Sequence, residues 1–113
     1  MKLPREAKLL RIFVGESDKY RGRPLYEAIV EEARRRHLAG ATVLRGPLGY
    51  GASSRIHTAK ILRLSEDLPM VIEIVDQEDK IHAFLPDLDA MIGEGLVIME
   101  KVEVIFYRHQ AES

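Results

Sequence analysis

Lys8 to Gly15 (KLLRIFVG) is a short apolar run rich in strand formers, closed by a polar, turn-rich stretch from Glu16 to Pro24. That pattern predicts a first strand. From Pro24 the period changes. Tyr26, Ile29, Val30, Ala33 and His37 recur at helical spacing, Pro24 suits a first helical position and Gly40 suits the stop, so a first helix is expected. On it, Glu31 and Arg35, and Glu32 and Arg36, are i,i+4 pairs in the favourable order. Ala41 to Arg45 (ATVLR) predicts a second strand, broken by Gly46, Pro47, Gly49 and Gly51. Arg55 to Ser65 then alternates weakly and carries several charges, which reads as a long excursion, either a loop or a hairpin arm. Pro69 to Val75 (PMVIEIV) predicts a third strand. Asp76 is a good N-cap with Asp79 three residues later, and Ile81, Phe84, Leu85, Leu88, Met91 and Ile92 form one stripe that ends at Gly93, the signature of a second helix. Pro86 removes a hydrogen bond and crowds the carbonyl of His82, which predicts a kink or two helical pieces. Leu96 to Tyr107 (LVIMEKVEVIFY) predicts a long last strand.

The order β, α, β, long excursion, β, α, β is that of an α+β, ferredoxin-like sandwich: four antiparallel strands with two helices on one face. One domain spans 1–113. The opposite sheet face is left bare, and VIEIV and VEVIFY are apolar at successive positions, so both faces of these strands need burying. Self-association into a closed symmetric ring is the expected solution.

Composition narrows the function. The chain has 113 residues, 46% apolar and 31% charged, with 17 basic against 18 acidic residues. That balance suits a globule, and a formal charge of −1 provides no strong field for nucleic acid. Arg34, Arg35 and Arg36, the densest basic cluster, read as a solvated helix face ahead of a nucleic-acid patch. No apolar run is long enough to span a bilayer and the first residues lack a signal-peptide core, so a cytoplasmic location without membrane insertion is expected. Cysteine is absent, which removes disulfides and thiolate metal sites. The lack of Asn and Cys beside abundant Glu, Lys and Arg suits a heat-tolerant source.

The most informative stretch is Gly46-Pro47-Leu48-Gly49-Tyr50-Gly51-Ala52-Ser53-Ser54-Arg55. Closely spaced glycines let successive amides point into one concavity that suits an anion, and two hydroxyls and an arginine follow. It lacks the Gly-Lys-Ser/Thr ending of a Walker A loop, and a strand rather than a helix follows, unlike a Rossmann fingerprint. A phosphate site and a plain glycine-rich turn both fit that spacing. A second group, Gly93-Glu94-Gly95, fits either a helix C-cap or a second piece of such a site.

Gly40-Ala41-Thr42-Val43, Gly49-Tyr50-Gly51, His57-Thr58 and Ile92-Gly93-Glu94-Gly95 ahead of a VEVI strand resemble, in the same order, the Gly-x-Thr-Val, Gly-Phe-Gly, His-Thr and Ile-Gly-Asp-Gly motifs of the PII signalling proteins. The Arg-Ile-Phe-Val-Gly-Glu opening and the Arg-Ile-His-Thr-Ala-Lys segment are similar to an uncharacterised family of PII-like proteins over nearly the whole chain. The resemblance implies a homotrimer of ferredoxin-like subunits that binds an adenine nucleotide (ATP, ADP or AMP) between neighbours and regulates a partner rather than catalysing. It implies that Thr42, Gly49, Gly51 and Ser53 of one subunit face Gly93 and Gly95 of the next, and Tyr50, Ser54, Arg55, Glu94, Arg108 and His109 are the further candidate ligand-binding residues. It further implies that the loop 52–68 engages a membrane transporter, a channel or an enzyme. Leu96 stands where PII proteins carry a lysine, and Tyr107 and His109 where they carry arginines, so part of the triphosphate charge is unmatched. Arg45, Arg55 and Arg108 are candidates to compensate, and another small anion remains an alternative ligand. No tyrosine lies between Ala52 and Leu68, so the covalent switch of the PII loop is expected to be absent.

Two other functions compete with this one. Acylphosphatases share the element order and bind phosphate after strand one, where this chain has Arg21-Gly22-Arg23, yet that chemistry needs an asparagine and the chain has none. No Ser, His and Asp set stands at readable spacing for other hydrolysis. A metal-binding trimer would rest on His37, His57, His82 and His109, which are scattered, so no metal is expected. Asp87 and Asp89 read as a solvated helix face.

Overall fold

The computed structural model describes residues 3–46, 48–49, 57–58 and 68–109. The elements run β1 (Glu6–Gly15), β2 (Lys19–Tyr20), β3 (Arg23–Pro24), α1 (Leu25–Arg35), β4 (Gly40–Arg45), β5 (Leu48–Gly49), β6 (His57–Thr58), β7 (Pro69–Asp76), α2 (Glu78–Met91) and β8 (Leu96–Glu103). Strands β4, β7, β1 and β8 lie side by side in that order, and every pairing is antiparallel. This is the ferredoxin-like arrangement expected from the order of elements.

Register explains how one face becomes the core. Leu10, Ile12 and Val14 stand opposite Ile74, Ile72 and Met70, and directly opposed residues share a face. These six pack with Leu25, Ala28, Ile29 and Ala33 of α1 and with Ile81, Phe84, Leu88 and Met91 of α2 in one apolar cluster. Full burial of a side chain such as Phe84 or Ile72 contributes about 1.5–3 kcal/mol each. The other face, with Leu9, Phe13, Val71 and Val75 half-buried, meets no helix among the described residues. Leu44 and Leu96 on the two outer strands are 50% and 55% exposed there. The apolar face inferred from strand composition is therefore present, and no element among the described residues covers it.

Local structure departs from the sequence pattern at several points. α1 starts at Leu25 and ends at Arg35, not at Gly40. Its stop is a Schellman turn in which the His37 N–H donates to the Arg34 carbonyl and the Leu38 N–H to the Ala33 carbonyl, both at 3.0 Å. His37 takes the left-handed position, φ 60°, usually given to glycine. Gly40 instead opens β4. On α1, Glu32 does pair with Arg36 at 3.5 Å, but Arg35 turns to Glu32 at 2.6 Å and Glu31 pairs with Arg23.

α2 runs through Pro86 without a break. Both Pro86 and the residue it deprives of a donor, His82, lie on the exposed face, where water can satisfy the freed carbonyl. Asp76 is not the helix cap, which is Gln77. It is the last residue of β7, 1% exposed, and its carboxylate accepts from the Ala39 N–H at 2.9 Å and the Gln77 N–H at 2.7 Å. It thus ties the chain entering β4 to the chain leaving β7. Asp87 is no freely solvated residue either, because it pairs with Arg36 at 2.8 Å across the two helices.

β8 stops at Glu103 rather than at Tyr107. The Val104 N–H donates to the Arg5 carbonyl at 2.7 Å, just ahead of β1, and among the described residues no partner strand remains for further pairing. Beyond it the Tyr107 hydroxyl donates to the Ala39 carbonyl at 2.6 Å. Between β1 and α1, β2 and β3 form a hairpin that sequence pattern showed only as a turn. Arg21 and Gly22 have φ 51° and 80°, the two positive angles of a type I′ connection. Within the excursion, Leu48–Gly49 pairs with His57–Thr58, as the hairpin alternative requires for those residues. No helix among the described residues is long and apolar enough to cross a membrane.

Candidate functional site

Four chain segments meet at one end of the sheet. The register places the C-terminal ends of β1 and β4 beside the start of β7, and Phe13 opposite Leu96 at the start of β8. Both glycine groups therefore leave the sheet at the same end. They leave from opposite edges, however, because β4 and β8 are the outer strands. With two strands between them, their roots stand about 14 Å apart at the usual strand spacing.

At the β4 edge, Gly46 is held tightly. Its N–H donates to the Pro69 carbonyl at 2.8 Å, and a Cβ there would meet Pro69 Cγ at 2.9 Å. The adjacent Arg45 pairs with Glu16 at 2.5 Å, and the Glu16 N–H donates to the Leu68 carbonyl at 2.8 Å. The excursion thus departs from and returns to a clamped root. Thr42 is exposed and faces the open side of the sheet beside Glu73, its register partner. Gly49 lies in β5, and Tyr50, Gly51, Ser53, Ser54 and Arg55 fall outside the described residues.

At the β8 edge, α2 ends through Ile92 in an extended conformation, and neither Gly93 nor Gly95 takes a positive φ. A left-handed glycine cap is therefore not what this turn uses. A Cβ on Gly95 would stand 2.7 Å from the Phe13 carbonyl oxygen, so close approach to β1 fixes the residue type. A Cβ on Gly93 would meet nothing within 4 Å. Glu94 between them is exposed. Arg108, stacked over the Phe106 ring at 4.4 Å, and His109 follow the Tyr107 tether to Ala39, at the other end of the sheet. Within one chain the structure does not bring these two residues to either glycine group.

Sequence reasoning overlooked one group on the open face. The Arg11 guanidinium donates to Glu73 and to Glu100, both at 2.9 Å, and these contacts, Glu73 first, push its pKa above the usual value. A charged residue in the middle of KLLRIFVG and another in VIEIV were the available signal. In the Arg21-Gly22-Arg23 stretch, Arg23 is engaged by Glu31 and Arg21 sits over the Tyr20 ring at 5.1 Å. The cleft beside it, about 580 Å³, mixes Arg21, Arg23 and Arg35 with Glu31, Glu32 and Asp87. Among the described residues no three His, Cys, Asp or Glu side chains are gathered for a metal.

Residues 7–104 match the model of the DUF190 family, described as an uncharacterised ACR. A UPF0166 protein of Aquifex aeolicus is 43% identical over 99 residues, covering 88% of this chain and 93% of that protein. A UPF0166 protein of Methanocaldococcus jannaschii is 39% identical over 100 residues, covering 88% and 92%. Among solved structures, a putative PII-like signalling protein from Thermus thermophilus superposes with a TM-score of 0.65 at 20% identity, covering 93% of this chain and 94% of that one. CPII, a nitrogen regulatory PII-like protein from Thiomonas intermedia solved with ADP, AMP and bicarbonate, superposes with a TM-score of 0.59 at 20% identity, covering 88% of each chain.

Proposed function

We propose, for a chain that belongs to the DUF190 family, a regulatory role: it binds an adenine nucleotide or a similar small anion in a cleft between subunits of a homotrimer. It signals through residues 52–68 to a partner such as a transporter, channel or enzyme, in the cytoplasm and without catalysing a reaction. The observation that carries this reading is the placement of the two glycine groups at one end of the sheet but on opposite edges. Roots about 14 Å apart on opposite edges favour a guest gripped by two subunits over one enclosed by a single chain. A neighbour packed on the uncovered face could bring its Gly93–Gly95 turn to the Gly46–Gly51 loop, and Leu44, Leu96 and Ile98 supply apolar surface for that packing.

The likeness of fold to CPII, whose structures hold ADP and AMP, supports a nucleotide as the guest. Gly93 has open space where a Cβ would stand, which fits a turn shaped to admit another molecule. Leu96, Tyr107 and His109 in place of cations favour ADP, AMP or bicarbonate over ATP.

Sedimentation velocity and thermal melts with AMP, ADP, ATP and bicarbonate test this reading together. A trimer whose melting rises with at least one nucleotide is expected, with about 2.7 kcal/mol of added stability at 100 times the dissociation constant. A monomer indifferent to every ligand would overturn it. Phosphate release from acyl phosphates above the blank would favour an enzyme instead.

A further inference from the structure

Resting on the nucleotide reading above, we propose that Arg45 is the anion-contacting side chain at the root of the glycine loop, and that Glu16 is its built-in competitor. The Glu16 carboxylate occupies the guanidinium until a phosphate-bearing ligand takes its place.

Arg45 is the last residue of β4 and the neighbour of Gly46. The Gly46 N–H is committed to the Pro69 carbonyl, so at this root the side chain, not the amide, is the donor available to a ligand. Its contact with Glu16 runs from one terminal nitrogen to one carboxylate oxygen at 2.5 Å, whereas a guanidinium offers five N–H donors in a fork suited to two oxygens at once. The side chains are 55% and 27% exposed, and exposed pairs of this kind are weak. A di- or triphosphate brings more charge and several oxygens for bidentate contact, so it outcompetes a single carboxylate.

Glu16 is held in place by its surroundings. Its N–H bonds to the Leu68 carbonyl, where the excursion returns to the sheet, and the preceding Gly15 N–H is pinned by Asp18 Oδ2 at 2.8 Å. The competitor therefore stands preset beside the guanidinium rather than searching for it. The pair also joins the departing leg, at Arg45 and Gly46, to the returning leg, at Leu68. Exchange of Glu16 for a ligand changes the contact between them, and so carries occupancy to both ends of the excursion.

Calorimetric titration of ADP and ATP into the wild type, Glu16→Gln, Arg45→Ala and the double variant tests this. Gln keeps the shape and the backbone hydrogen bond of Glu16, and thermal melts verify folding. Glu16→Gln should bind about two- to fivefold more tightly, the range that release of one exposed ion pair allows. Arg45→Ala should bind more weakly, and the gain from Glu16→Gln should vanish in that background. The proposal is overturned if Glu16→Gln binds no more tightly than the wild type, or if its gain is the same with and without Arg45. A wild type that binds neither ADP nor ATP, with variants equally inert, removes ADP and ATP as the guest and the competition with them, and leaves AMP and bicarbonate to the melts described above. A wild type that binds while the gain is missing removes only the competition.

Discussion

Gly95 and Phe13 approach so closely that a Cβ on the glycine would stand 2.7 Å from the phenylalanine's carbonyl oxygen, with the Ile92 and Val14 side chains at 3.2 Å. That oxygen belongs to the backbone of β1 and cannot swing away. Gly95→Ala should therefore cost on the order of 1–3 kcal/mol, as overpacking does. Gly93→Ala, with nothing within 4 Å, should leave the melting temperature nearly unchanged. If the turn takes part in ligand binding, Gly93→Ala is the variant that separates affinity from stability. Chemical denaturation of both variants, beside nucleotide titration of the second, checks the pair.

Asp76 carries a second expectation. Its two carboxylate oxygens each accept one backbone N–H, from Ala39 and from Gln77, inside the protein. Asp76→Ala leaves both donors without that acceptor and should cost about 1–3 kcal/mol. Asp76→Asn keeps one oxygen and should cost less. Equal urea midpoints for the wild type and Asp76→Ala would show that these contacts are dispensable.

His37 should be improvable. A histidine at φ 60° has a Cβ crowding the backbone in a conformation that glycine adopts freely. His37→Gly should gain about 0.5–1 kcal/mol, less than the full strain because glycine also loses more entropy on folding. A lower melting temperature for His37→Gly would mean that the imidazole makes a contact worth more than the strain.

Acid sensitivity should trace in part to Glu32. Hydrogen bonds from Arg35, and then from Arg36, hold its pKa below the ordinary value of 4.5 despite an opposing desolvation contribution. A carboxylate depressed in the folded state stabilises the fold above its unfolded pKa, and that contribution disappears as pH falls through the folded value. The melting difference between the wild type and Glu32→Gln should thus be largest near neutrality and shrink as pH falls through and below the ordinary glutamate range. A difference independent of pH would contradict the assignment.

The sequence pattern carried the sheet and both helices because their signals are local and periodic. Leu10, Ile12 and Val14 alternate, and Ile81, Phe84, Leu88 and Met91 recur at helical spacing. Boundaries were less legible. Nothing near His37 announces a left-handed residue, since the Schellman bonds to Ala33 and Arg34 belong to the folded turn. Pro86 looked disruptive because the pattern does not say that His82 faces water. Ion-pair partners were hidden for the same reason: Arg36 finds Asp87 and Arg45 finds Glu16 only after distant segments pack. As for the site, the spacing drew notice to Gly95 but could not distinguish a residue required by the Phe13 backbone from one that serves a ligand.

That β4 and β8 close the sheet on opposite sides has a consequence for inheritance. In the proposed ring every subunit would lend half a cleft to each of its two neighbours and own none outright. Chains defective in only one half, some at Gly51 and others at Gly93, would then restore intact clefts when mixed, so that two silent alleles could together respond to a nucleotide.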